Sequence, residues 1–237
     1  MVRTASRQIR LPRTRARRYT AAMIAPARPK TQAPAGGRVL LRGVSWETYE
    51  RLLDDHHESA GPRFTYDDGF LEIMTLSIEH EDPNRMLALL VELILCEWDV
   101  DFRTSGSNTF KSATLKKGFE PDTSFYIEHA DAIRGKKRLD LAVDPPPDLV
   151  IEVEVTEPLL PRLPIFAAVR VPEIWCCEGE TVRILRLDRG NYREFKRSAA
   201  LSPLTADVIT DFLRRSSRAK RPAWMRAVRE WAQAQRR

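Results

Sequence analysis

Pro147-Asp148-Leu149-Val150-Ile151-Glu152-Val153-Glu154-Val155-Thr156 is an apolar run with acids set into it, and Gly118-Phe119-Glu120-Pro121-Asp122 upstream sets another acid at the head of a second run. Leu149, Val150, Ile151, Val153 and Val155 are nearly continuous, the pattern of a central strand buried on both faces. Pro145-Pro146-Pro147 cannot be helical and delivers an extended chain directly into that strand. A carboxylate inside such a strand is costly unless something positive is held against it. Asp122 at one strand end and Glu152 inside a neighbouring strand, side by side, make an oxygen site for a hard divalent cation. That pairing points to phosphodiester cleavage.

Downstream, Leu159 to Val169 reads as a short crossover helix and Val171 to Cys177 as the next strand, which predicts a parallel strand-helix-strand unit in a mixed sheet. Thr181 to Leu187 alternates, with Arg183 and Arg186 breaking the apolar set, and is expected at the sheet edge. Two helices, Thr205 to Ser217 and Pro222 to Gln235, close the chain; Trp224, Ala227, Val228 and Trp231 give the second an apolar face for docking on the domain. Upstream, Ser45 caps a helix running to about His56. Phe64 to Tyr66 and Phe70 to Met74 flank Asp67-Asp68-Gly69, a strong hairpin signal. From Ser77, acids and Pro83 occupy the first turn of a long helix whose apolar set, Met86 through Ile94, continues to Trp98. Further strands are expected over 100–104, 108–112 and 119–127. His80 and Glu79 stand at the start of the long helix, where a dipole-balancing acid with a surface His and a site role are both open readings. His56, His57 and His129 read as surface residues.

The chain has 237 residues, 43% apolar and 30% charged, enough for one domain with one sizeable core. Its net charge of +6 is unevenly spread. Residues 1–46 hold eleven Lys and Arg and no acid, leaving 28 basic against 33 acidic residues, about −5, for the remainder. A globally basic nucleic-acid surface is therefore not indicated. Residues 1–37 lack apolar periodicity and are expected to be a disordered basic tail, either a phosphate-binding arm or merely solvated; 38–237 is expected to be the domain. Three cysteines, Cys96, Cys176 and Cys177, have neither disulfide nor zinc spacing, which predicts a reduced, cytoplasmic protein. No apolar run is long enough to span a membrane, so no membrane association is expected.

Tyr66-Asp67-Asp68-Gly69-Phe70-Leu71-Glu72-Ile73-Met74, then His80, Glu120-Pro121-Asp122, Pro147 to Val153, Leu163 to Ala168 and Val171 to Trp175 form an ordered set. From about Gly43 onward the chain resembles the bacterial putative restriction endonuclease family, within the restriction-endonuclease-like PD-(D/E)XK superfamily. The resemblance implies a mixed α/β (α+β) fold: a mixed central sheet flanked by helices, a nuclease core over about 63–190 and C-terminal helices over about 205–236. It also implies a DNA substrate and an Mg²⁺ (or Mn²⁺) centre, with Asp122 and Glu152 as metal ligands and the Val153 carbonyl as a third. Glu154 stands where the superfamily motif has Lys, and Arg162 where relatives often carry one. On the nuclease reading Glu154 is a third ligand or a proton acceptor, Arg162 a fixed cation at the scissile phosphate, and His80 a further candidate. The alternatives are an inactive nuclease-fold protein acting in DNA binding or regulation, because that Lys is absent, and a non-nuclease phosphodiesterase or interaction protein that kept only the fold. A homodimer is left open.

Overall fold

The strand quoted first lies at the centre of a six-stranded sheet. The computed structural model describes residues 37–56, 62–75, 78–136, 138–154 and 157–236, all within the unit Ala33–Arg237. The basic segment 1–36, His57, Ser77, and Val155-Thr156 lie outside the described residues, as does the side chain of Glu79. The elements run β1 (Arg38–Arg42), α1 (Trp46–His56), β2 (Arg63–Asp67), β3 (Phe70–Met74), α2 (Ile78–Trp98), β4 (Arg103–Thr104), β5 (Phe110–Ser112), β6 (Lys117–Phe119), β7 (Thr123–Tyr126), β8 (Leu149–Glu154), α3 (Leu163–Ala168), β9 (Glu173–Glu178), β10 (Thr181–Asp188), β11 (Asn191–Phe195), α4 (Ala206–Ser216) and α5 (Arg221–Gln235).

Among the described residues two sheets form, not one. The larger has the order β11-β10-β9-β8-β7-β4, and the smaller, wholly antiparallel, β1-β3-β2-β6-β5. In the larger sheet β8 pairs with β7 antiparallel (Thr123↔Ile151) and with β9 parallel (Glu152↔Cys176), so the expected parallel unit is present in a mixed sheet. The single strand expected over 119–127 divides: β6 joins the smaller sheet and β7 the larger. The break falls at Glu120-Pro121-Asp122, where Pro121 has no N–H for a ladder. The predicted strand over 100–104 shrinks to Arg103–Thr104, because Asp99 takes a positive φ of 59° as the chain leaves α2.

Three other expectations need correction. Thr181 to Leu187 is not an edge strand, since β11 pairs along β10 from Ile184 to Asp188. The crossover helix starts only at Leu163; Pro158 and Pro161 keep the preceding loop out of helical conformation. Pro83 lies inside α2 instead of in its first turn, because the helix begins at Ile78. The Asp-Gly hairpin stands: Asp68 and Gly69 have φ of 41° and 92°, the two left-handed residues a tight hairpin turn requires.

Side chains alternate across β8 with period two. Leu149, Ile151 and Val153 enter a core with Leu87, Leu90 and Ile94 of α2, Ile209 and Phe212 of α4, and Trp224 and Val228 of α5. Val150 faces the other way, into a second core with Ile165 and Phe166 of α3 and Phe110 and Phe119 of the smaller sheet. On that sheet's far face, Trp46 and Tyr49 of α1 pack on Phe64, Tyr66 and Leu71. Each such fully buried side chain contributes roughly 1.5–3 kcal/mol of transfer free energy. The layers are thus α1, smaller sheet, α3, larger sheet, and the α2, α4, α5 group, with the even-numbered acids of β8 facing the space beneath the smaller sheet.

Candidate active site

Six acids are buried among the described residues: Glu72, Asp122, Asp144, Asp148, Glu152 and Glu173. Buried carboxylates normally have both oxygens bonded, because an unmatched one carries its full desolvation cost. Four obey. Glu173 accepts from Trp175, Ser198, Ala199 and Ala200; Asp148 accepts from the Ile127 and His129 amides and pairs with the His129 ring, locking the entry to β8; Asp144 holds Lys136 and the Asp140 amide. Glu72 accepts from Arg38 with one oxygen and from the Leu159 and Leu160 amides with the other. Asp122 and Glu152 differ: Asp122 Oδ1 and Glu152 Oε1 are buried with no hydrogen-bond partner.

These two residues come together as the sequence implied. The Thr123↔Ile151 register sets Asp122 opposite Glu152, and Asp122 Oδ2 accepts the Val153 amide at 2.7 Å. The N-terminal turns of α2 close over Asp122: Asn84 Nδ2 donates to its backbone carbonyl at 3.2 Å, and His80 Nε2 lies 3.0 Å from Oδ2. That His80 contact is not aligned as a hydrogen bond, and both its ring nitrogens are buried without one. His80 is therefore no surface histidine.

Arg162 turns inward just before α3, with its side chain only 10% exposed. Its guanidinium pairs with Glu152 Oε2, stands 3.7 Å from Glu72 Oε1 and touches Met74 Sδ at 3.8 Å. A solvated helix-start role for Arg162 is excluded. Burial pushes the Glu152 carboxyl up to about 7; Arg162 opposes this and Asp122 adds to it. Burial would lower the Arg162 guanidinium, but the Glu152, Asp122 and Glu72 carboxylates outweigh it and raise it. Asp122, Glu152 and Glu72 thus set three carboxyl groups against two guanidiniums, Arg38 and Arg162. The His80 ring stands beside them, against Asp122.

Glu154 is partly exposed, opposite Glu178 of β9, and among the described residues it makes no hydrogen bond or ion pair, so its predicted place in the site rests only on sharing a strand face with Glu152. Its charge, after burial, helps push the Cys176 thiol up to about 12. Among the described residues no three His, Cys, Asp or Glu side chains converge as a metal-binding cluster. A metal could thus draw two carboxylates and backbone or water oxygens here, not a closed protein cage. Glu72 and Asn84 were missed as site residues from sequence. Glu72 carried a usable signal, a lone acid between Leu71 and Ile73 on a strand, the same signal that singled out Glu152; Asn84 stands four residues after His80 on one helix face.

A crystal structure of a putative nuclease belonging to DUF820 from Anabaena variabilis ATCC 29413, at 1.96 Å resolution, is similar to this chain at 16% identity, covering 68% of this chain and 98% of that one, with a TM-score of 0.44. No curated protein matches. The Uma2 family model, described as "Putative restriction endonuclease", matches residues 46–212, and the chain belongs to that family.

Proposed function

We propose that the protein is a DNA endonuclease that hydrolyses phosphodiester bonds with a divalent cation held by Asp122 and Glu152. One observation carries this reading: of the buried acids among the described residues, only these two keep an uncommitted oxygen, and they face one another across the β7–β8 pair. Mg²⁺ or Mn²⁺ fits that donor set, with the Val153 carbonyl as a third protein oxygen, since a strand residue turns its C=O to the side of its N–H and the Val153 N–H meets Asp122. Such an ion supplies Lewis-acid polarisation of the phosphate and lowers the pKa of water. Asp122 is oriented for the task by the Val153 amide and Asn84. Arg162, held between Glu152 and Glu72, is a fixed cation for phosphate charge and cannot serve as a base. His80 offers two uncommitted ring nitrogens beside Asp122, suited to holding a proton. Glu154, nearer solvent, can accept one and pass it out.

A second reading, a nuclease-fold protein without activity that acts in DNA binding or regulation, is favoured by a specific contact. Arg162 occupies a Glu152 oxygen, and no Lys stands on β8 beyond it. Titration calorimetry with Mg²⁺ and Mn²⁺, together with nicking of supercoiled plasmid, separates the two. The nuclease reading expects metal binding and nicking by the wild type, and loss of both in Asp122→Ala and Glu152→Ala. Equal metal affinity in all three proteins would remove the site assignment; metal binding without nicking would leave the inactive reading.

A further inference from the structure

The charge of this chain is divided in a way that the site does not explain. Residues 37–213 hold 21 basic against 32 acidic residues, a net of −11, whereas residues 214–237 hold nine Arg and Lys and a single acid, Glu230. This basic end begins just past residue 212, where the match to the family model stops. Five of its cations, Arg214, Arg215, Arg218, Lys220 and Arg221, crowd into the corner between α4 and α5, and all five are exposed.

Three contacts place that corner at the same end of the sheet as Asp122 and Glu152. Arg221 packs its guanidinium on the Met86 sulfur, and Met86 stands on α2 about 9 Å along the axis from His80. Trp98 Nε1 donates to the Ala232 carbonyl at 3.0 Å, so α5 runs alongside α2 in the same direction and both helices start at the site end. Arg214 Nη2 donates to Thr181 Oγ1 at 3.3 Å. Thr181 pairs with Glu178, and Glu178 with Glu154, so the strand residue that Arg214 reaches lies roughly 10 Å, two strand spacings, from the Glu154 end of β8.

We infer that the α4–α5 corner is a docking surface for the phosphate backbone of duplex DNA, gripping it beside the Asp122–Glu152 centre. The choice of DNA as partner rests on the nuclease reading. A body of net charge −11 repels a polyanion, so a substrate phosphate reaches the acidic site only if cations nearby offset that repulsion. Arginine, which makes up four of the five, binds phosphate with a planar two-pronged fork. The aromatic and apolar side chains of the region are turned inward: Trp224 and Val228 are buried, and Trp231 packs edge-on against Phe212 and tilted against Trp98. A single strand would need exposed rings for stacking its bases, and a membrane-surface helix an exposed apolar stripe. The corner offers neither, which leaves a duplex backbone.

The test measures the affinity of the full chain for a 30-base-pair duplex in a metal chelator, across salt concentration, by fluorescence anisotropy. A variant carrying R214Q, R218Q, K220Q and R221Q is compared with a control carrying R189Q, R193Q, K196Q and R197Q around β10 and β11, which has the same net charge. The corner variant should lose at least tenfold in affinity, and the slope of log affinity against log salt should fall by about three units; the control should keep both. A double variant, R218Q with K220Q, alters only exposed residues at the corner and should lose about half as much if the fourfold variant proves unstable. Unchanged slopes in the corner variants, or equal losses in the control, overturn the proposal. So does a loss of binding to phosphatidylserine vesicles with duplex affinity intact. Glu152→Gln should keep duplex affinity; a wild type that binds through the corner yet nicks no plasmid would sink the nuclease reading and leave the corner standing.

Discussion

Glu152 carries the clearest consequence at the scale of a single residue. Its carboxyl, with an ordinary value near 4.5, is pushed up to about 7 by burial, against Arg162 and with Asp122. The folded protein therefore holds this proton more tightly than the unfolded chain does. The stability that the proton contributes is full below about pH 4.5 and is lost as pH rises through about 7. In chelator, urea unfolding should show stability falling across that window by an amount on the order of 3 kcal/mol, and Glu152→Gln should flatten the fall whatever its absolute stability. In the same titration, Arg162→Ala should be destabilised by about 3–5 kcal/mol at pH 8, where it leaves a buried carboxylate unpaired, and by much less at pH 5. Arg162→Lys should recover most of that loss. A flat wild-type profile would mean that Glu152 is not held in this desolvated state.

Glu72 shows how elements far apart in sequence are tied at the site. From β3 it binds β1 through Arg38, the loop before α3 through the Leu159 and Leu160 amides, and Arg162 at 3.7 Å. The smaller sheet thereby becomes the wall against which Arg162 is positioned. That sheet is in turn held by α1, which comes close at Gly118 of β6, where an added Cβ would press into the hydroxyl and ring of Tyr49. Tyr49 is fully buried and stacks on Tyr66 at 4.8 Å, so its ring has little freedom to yield. Gly118→Ala should cost about 1–3 kcal/mol by overpacking, read as a lower urea midpoint with an unchanged slope. Stability equal to wild type would show that α1 can shift without loss.

On the scale of the whole molecule, basic segments bracket an acidic body. Residues 1–36 carry nine Arg and Lys and no acid; from Gly37 on, Gly37 exchanges backbone and side-chain hydrogen bonds with Thr75, and Arg38 opens β1 with its bond to Glu72. Deleting 1–36 should leave the melting temperature unchanged and lower only salt-sensitive DNA affinity. Extending the deletion through Arg42 removes β1 and one partner of Glu72, and the melting temperature should drop by several degrees. Differential scanning calorimetry of the two truncations checks both outcomes. A drop already present in the shorter deletion would move the domain boundary upstream.

Local pattern was enough for most elements, because a helix or a strand prints its period on neighbouring residues. The long α2, the Asp-Gly hairpin, the β8 strand behind its proline run and the closing helices were all legible in this way, as was the pairing of Asp122 with Glu152, since acids inside apolar runs stand out from their neighbours. Partition of the strands into two sheets was not legible. It turns on Pro121 interrupting a ladder and on β6 and β7 finding different partners, and register between distant strands leaves no local trace. Nor could the sequence tell a buried Arg162 from a solvated one, or a His80 held against Asp122 from a first-turn surface residue. Those outcomes depend on what the smaller sheet and α2 bring up from scores of residues away. Only the folded chain decides which of the six buried carboxylates among the described residues have all their oxygens bonded and which two do not, because hydrogen-bond satisfaction is a property of three-dimensional neighbours.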